Sequence, residues 1–76
     1  MNKDRRKELL EIMKQLENLK EKVERVKDVE QESFNNLSDG LQQTVRGSQM
    51  EEAISNLESA IELIDETIYH IDEASM

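Results

Sequence analysis

Apolar residues recur at alternating intervals of three and four over two long stretches of this chain, and that spacing constrains its fold most. The first stretch runs Leu9, Ile12, Leu16, Leu19, Val23, Val26; the second runs Met50, Ile54, Leu57, Ile61, Ile64, Ile68, Ile71. On a helix of 3.6 residues per turn this spacing gathers every apolar side chain into one stripe, whereas a half-buried strand needs strict alternation. No such alternation occurs. The first stretch is a heptad with a = Leu9, Leu16, Val23 and d = Ile12, Leu19, Val26. The second has d = Met50, Leu57, Ile64, Ile71 and a = Ile54, Ile61, Ile68. Proline is absent and glycine occurs only at Gly40 and Gly47, so little in the composition opposes helix.

Between the two stretches the signals change. The a and d positions after Val26 are Glu30 and Ser33, while Val29, Phe34 and Leu37 are apolar, which predicts a first helix over about residues 3–36 with its buried face rotated after Val26. Asn35-Asn36-Leu37-Ser38-Asp39-Gly40 favours turns and caps. Residues 41–45 suit a short helical turn capped by Ser38 and ended by Arg46-Gly47. Ser48 and Glu51 have the spacing of a capping box, predicting a second helix over about residues 49–74. The expected fold is one all-α domain over residues 1–76. It is an antiparallel hairpin of two long helices with a short helical connector at 37–48.

Charge orders the pairing. On the second helix the e positions are Glu51, Glu58, Asp65 and Asp72. On the first they are Arg6, Met13, Lys20 and Lys27. In an antiparallel pair e flanks e, so opposite charges select this arrangement. The register expected is Arg6 beside Asp72, Lys20 beside Glu58 and Lys27 beside Glu51, with a slip of one heptad as the alternative. In the expected register the first helix overshoots at its C-terminal end. Leu41 and Val45 would then cover Val29, Phe34 and Leu37, leaving Gln42, Gln43 and Arg46 facing outward. The basic start of the first helix would lie against the acidic end of the second, offsetting two unfavourable helix-dipole placements.

The second helix has a third repeat: Ala53, Ala60, Thr67 and Ala74 fill its g positions. Its buried face is therefore wider than one partner helix covers. A chain of 76 residues without cysteine has no disulfide to supplement a small core. Self-association into a four-helix-bundle homodimer is expected, with Met50, Ile54, Leu57, Ile61, Ile64, Ile68 and Ile71 as its oligomer core.

Ten basic and ten acidic side chains balance over residues 1–47, and residues 48–76 add eight acidic groups and no lysine or arginine. This distribution disfavours direct binding to nucleic acid or to an anionic membrane. No apolar run reaches membrane-spanning length, and the opening residues are polar rather than leader-like, so a cytoplasmic protein is expected. No catalytic, cofactor or metal site is expected. His70 is the one group titrating near neutrality, and the pattern gives it no nucleophile or second histidine. Thr67 stands where a Glu-x-x-His metal motif needs its glutamate. The acidic e positions lie about 10.5 Å apart along the helix, which suits flanking ion pairs better than chelation. Two candidate partner surfaces remain: Asn35, Asn36, Gln42, Gln43 and Arg46 at the connector, and Leu63, Tyr69 and His70 beside the acidic outer face.

Asn36-Leu37-Ser38-Asp39-Gly40-Leu41-Gln42, with Arg46-Gly47 and Met50-Glu51-Glu52-Ala53-Ile54, resembles short uncharacterised proteins from phages and prophages of Gram-positive bacteria. Those typically read Asn-Leu-Pro-Glu before Leu-Gln, where this chain has Ser38 and Asp39. The resemblance implies a phage-like source, a host cytoplasm, and by analogy an inhibitor that binds a host protein. The function expected is thus that of a non-enzymatic, oligomeric binding protein. The rival expectations are an acidic decoy mimicking nucleic acid and a bundle that sequesters a small ligand or nucleotide.

Overall fold

A computed structural model describes residues 1–76. Helix α1 spans Lys3–Asn35, a single turn α2 spans Asp39–Gln42, and α3 spans Val45–Ala74. The long helices fold back on each other into a rod of 58 × 15 × 12 Å. Its radius of gyration is 17.3 Å, against about 11 Å for a compact chain of this length.

Each helix is started by a short polar side chain. Asn2 Oδ1 accepts the amide of Arg5 at 2.9 Å, and Ser38 Oγ accepts that of Leu41 at 3.4 Å. The cap of α3 is Thr44, whose hydroxyl accepts the Gly47 amide at 3.3 Å. The expected capping box is thus displaced: α3 begins four residues ahead of position 49, and the Ser48 amide already bonds the Thr44 carbonyl at 2.9 Å. Gly47 does not end a helix. It is buried in the first turn of α3, where the missing Cβ lets the backbone of Gln42 close in. Glycine's helix penalty, about 1 kcal/mol in a helix interior, is outweighed here by the packing it permits.

The tighter connector corrects the register. Lys20 Nζ meets Asp65 Oδ1 at 2.7 Å, not Glu58, and Glu58 is instead the α3 acid acting on Lys27. The helices have slipped one heptad from the expected pairing. The cause lies at the turn, where early initiation of α3 and docking of α2 on it bring Phe34 beside Ile54. The overshoot falls at the other end, so the N-terminal turns of α1 extend beyond α3. The expected meeting of basic and acidic ends does not form. Lys3, Arg5, Arg6 and Lys7 have no carboxylate partner, and the Arg6 guanidinium donates to the Met1 carbonyl.

The seam is also rotated on α1. Its half-buried residues include Leu9, Met13, Leu16, Lys20, Val23, Lys27, Glu30 and Phe34, the a and e positions rather than a and d. On α3 the a and d residues do face the seam. Ile54 is its most buried side chain at 6 % exposure, and Met50, Leu57, Ile61, Ile64, Ile68 and Ile71 are half-buried.

The connector forms no apolar lid. Leu41 and Val45 are 54 % and 76 % exposed. Gln42 turns inward instead: its Nε2 donates to the carbonyls of Phe34 and Leu37, both at 3.2 Å. The Phe34 carbonyl also accepts the Leu37 amide at 3.1 Å, and the Leu37 carbonyl lies beyond the end of α1, so Gln42 ties the last turn of α1 to the connector. A polar clamp therefore closes the hairpin where an apolar one was expected.

Candidate protein-interaction face

The rotation of α1 gives the hairpin two unlike sides. In an antiparallel pair the e positions of both helices line one flank and the g positions the other, and on α1 the rotation moves the d positions out to the g flank. The e flank is crossed by charge. Lys20 bridges Asp65 and also reaches Glu17 at 3.3 Å, and these hydrogen bonds, Asp65 first, hold its ammonium above the ordinary lysine value against partial burial. Lys27 is likewise raised, chiefly by its hydrogen bond to Asp28 at 3.1 Å, with Glu58 contributing.

The other flank is open and carries an apolar stripe beside the polar g residues Glu8, Gln15 and Lys22 of α1. On α1 it carries Ile12, Leu19 and Val26, exposed by 37, 51 and 60 %, with Val29 beside Val26. On α3 it carries the small g residues Ala53, Ala60, Thr67 and Ala74 and the exposed Leu63. Large apolar side chains seven residues apart, each more than a third exposed, form a continuous heptad stripe. Scattered exposure of single apolar residues would need no account.

The chain exposes 5869 Å², about 1,000 Å² more than the roughly 4,800 Å² of a compact folded chain of 8.9 kDa, as a rod of 58 × 15 × 12 Å must.

The residues singled out from the sequence do not form one site. Gln42 is committed to the Phe34 and Leu37 carbonyls. The amide of Gln31 holds the side chain of Asn35 at 3.0 Å, while Asn36, Gln43 and Arg46 are exposed without a side-chain hydrogen bond. Leu63 and Tyr69 point about 120° apart around α3 at 3.6 residues per turn. Leu63 and His70 are on the open flank. Tyr69 lines a groove of about 610 Å³ on the charged flank with Leu10, Met13 and Ile68. The rings of Tyr69 and His70 meet edge to face at 5.4 Å, and His70 Nε2 lies 3.8 Å from Glu66. No three His, Asp or Glu side chains converge closely enough to hold a metal ion. The groove is shallow and mixed, with Lys14, Glu17, Asp65 and Asp72 sharing its lining with the apolar side chains.

The open d stripe of α1 escaped the sequence reading. A signal was present: Met13 and Phe34 are large apolar residues at e, while Glu30 and Ser33 are polar at a and d. Together they pull the seam from d toward e.

No protein-family model, curated protein or solved structure matches this chain. No helix is long and apolar enough to cross a membrane.

Proposed function

We propose that this chain is a self-associating, non-enzymatic binding protein whose hairpin is half of a four-helix bundle. The observation that carries the reading is the contrast between flanks. One is bridged by the Lys20–Asp65 ion pair, with Glu58 acting on Lys27 from a longer distance; the other leaves Leu19 and Val26 more than half exposed and Ile12 exposed by 37 %. Apolar area is the dominant favourable term in association, at about 25 cal/mol per Å², so a stripe of this length favours a mate. Two chains give a bundle whose outer surface is acidic along α3, with Tyr69 outside the apolar contact. That outer surface is what another protein meets, and the likeness to phage proteins suggests a host factor in that role.

Sedimentation equilibrium tests the reading. The wild-type chain is expected at twice 8.9 kDa in the micromolar range. Leu19→Glu, which sets a charge in the middle of the stripe while leaving the hairpin seam alone, is expected to return it to one chain with its helicity retained. A wild-type chain that stays single up to millimolar concentration contradicts the proposal.

A further inference from the structure

The self-association just proposed leaves open how two hairpins face each other, and the chemistry of the open flank selects one way. Two copies meeting face to face are related by a two-fold axis in the interface plane. If that axis runs across the helices, α1 packs on the partner's α1 and α3 on the partner's α3. If it runs along them, each α1 packs on the partner's α3. We infer that the axis runs along the helices, so that the Ile12–Leu19–Val26 stripe of each copy seats on the small-residue flank of the other copy's α3.

Three observations carry this. The first is charge. From Val45 onward the chain has one basic residue, Arg46, and eight acidic ones, whereas α1 has nine of each sign. Packing α3 on α3 would bring the two most acidic elements together. Packing α1 on α3 separates them and brings Lys22 and Arg25, which flank Val26 and Val29, alongside an acidic helix. Like-charge juxtaposition is the stronger discriminator of the two, since it penalises the wrong arrangement outright.

The second is shape. The α1 stripe is made of large side chains, whereas the α3 flank carries Ala53, Ala60, Thr67 and Ala74 with Leu63 as its one large exposed apolar side chain. Facing layers pack to native density when large residues oppose small ones. The crossed arrangement instead sets large against large along α1 and small against small along α3, overfilling one half of the interface and leaving gaps in the other.

The third is level along the rod. An axis parallel to the helices preserves height, so each α1 residue meets the partner's α3 residue at the level it already has in its own hairpin. The Lys20–Asp65 bridge fixes that level. It sets Ile12 level with Ala74, Leu19 with Thr67 and Val26 with Ala60 to within about one residue, or ~1.5 Å of rise. Every large residue of the stripe thus arrives at a small one without any sliding.

Disulfide trapping between singly substituted chains tests the arrangement. Leu19→Cys chains are mixed with Thr67→Cys chains, and Val26→Cys with Ala60→Cys, each mixture refolded together and oxidised. All four positions lie in the open flank, and circular dichroism checks that each variant keeps its helicity. The expected result is a mixed disulfide in both mixtures, several-fold more abundant than either homodisulfide. Predominant Leu19→Cys or Val26→Cys homodisulfide, or no cross-link in chains that still sediment as dimers, overturns the pairing but leaves self-association standing. Single chains in sedimentation overturn both.

Discussion

Gly47 gives the sharpest test of the turn. It stands in the first turn of α3, and a Cβ built there would lie 2.2 Å from the Gln42 carbonyl oxygen, 2.6 Å from its carbon and 2.9 Å from its Cα. All three are backbone atoms of the residue that ends α2, so no side-chain rotation relieves the contact. Gly40, by contrast, is exposed and would meet nothing within 4 Å. Neither glycine has positive φ, so alanine fits the backbone at both. On helix propensity alone, each substitution would stabilise by about 0.5–1 kcal/mol. Forcing a methyl into close packing costs about 1–3 kcal/mol, so Gly47→Ala should destabilise by roughly 1–2 kcal/mol net. Gly40→Ala should keep its gain. Urea unfolding followed by circular dichroism at one fixed chain concentration measures both, with the midpoint moving and the slope unchanged. In thermal unfolding each kcal/mol should move the midpoint by about 4–8 °C in a domain of this size. A Gly47→Ala protein as stable as wild type, beside a stabilised Gly40→Ala, would show that α2 does not dock on α3 as described.

Thr44→Ala should cost about 0.5–2 kcal/mol through loss of the α3 cap, whereas Ser48→Ala should be near neutral; the reverse order would restore the Ser48 capping box. Ile54→Ala should cost about 2–4 kcal/mol in chemical denaturation, against almost nothing for Val45→Ala, and equal costs would contradict the seam. Charge-reversal cycles should couple Lys20 to Asp65 at low salt, with no coupling of Lys20 to Glu58; the opposite outcome would return the register to the unslipped one. Since Lys20 titrates above the ordinary lysine value of 10.5 in the folded chain, its contribution is complete below that pH and is lost as pH rises through the raised value. Lys20→Met should therefore flatten the alkaline fall in stability, and an unchanged slope would contradict the bridge.

The helices themselves were legible because heptad spacing reports directly on which residues share a face. The two long helices, their antiparallel packing and the Ser38 cap all follow from local pattern. The slipped register does not. Lys20 and Lys27 find an acid at e in either register, because Glu51, Glu58, Asp65 and Asp72 repeat every seven residues. What breaks the tie is the length of the turn, and that depends on Gly47 acting as a packing residue instead of a breaker. Its role becomes visible only when Gln42 is known to lie against it. The inward turn of Gln42 is equally non-local: a glutamine in a polar connector reads as solvated until the carbonyls of Phe34 and Leu37 are placed beside it. Likewise the open stripe on α1 depends on a rotation that the a and d pattern conceals, although Met13 and Phe34 at e point toward it.

Small-angle X-ray scattering across a concentration series tests the central claim most directly, because it reads mass and length together. Two hairpins mated side by side along their open flanks should double the forward scattering of a single chain while the maximum dimension stays near the 58 Å of the rod. A forward scattering that corresponds to one 8.9 kDa chain at every concentration would contradict the half-bundle reading, and doubled scattering with a markedly longer particle would contradict the side-by-side face.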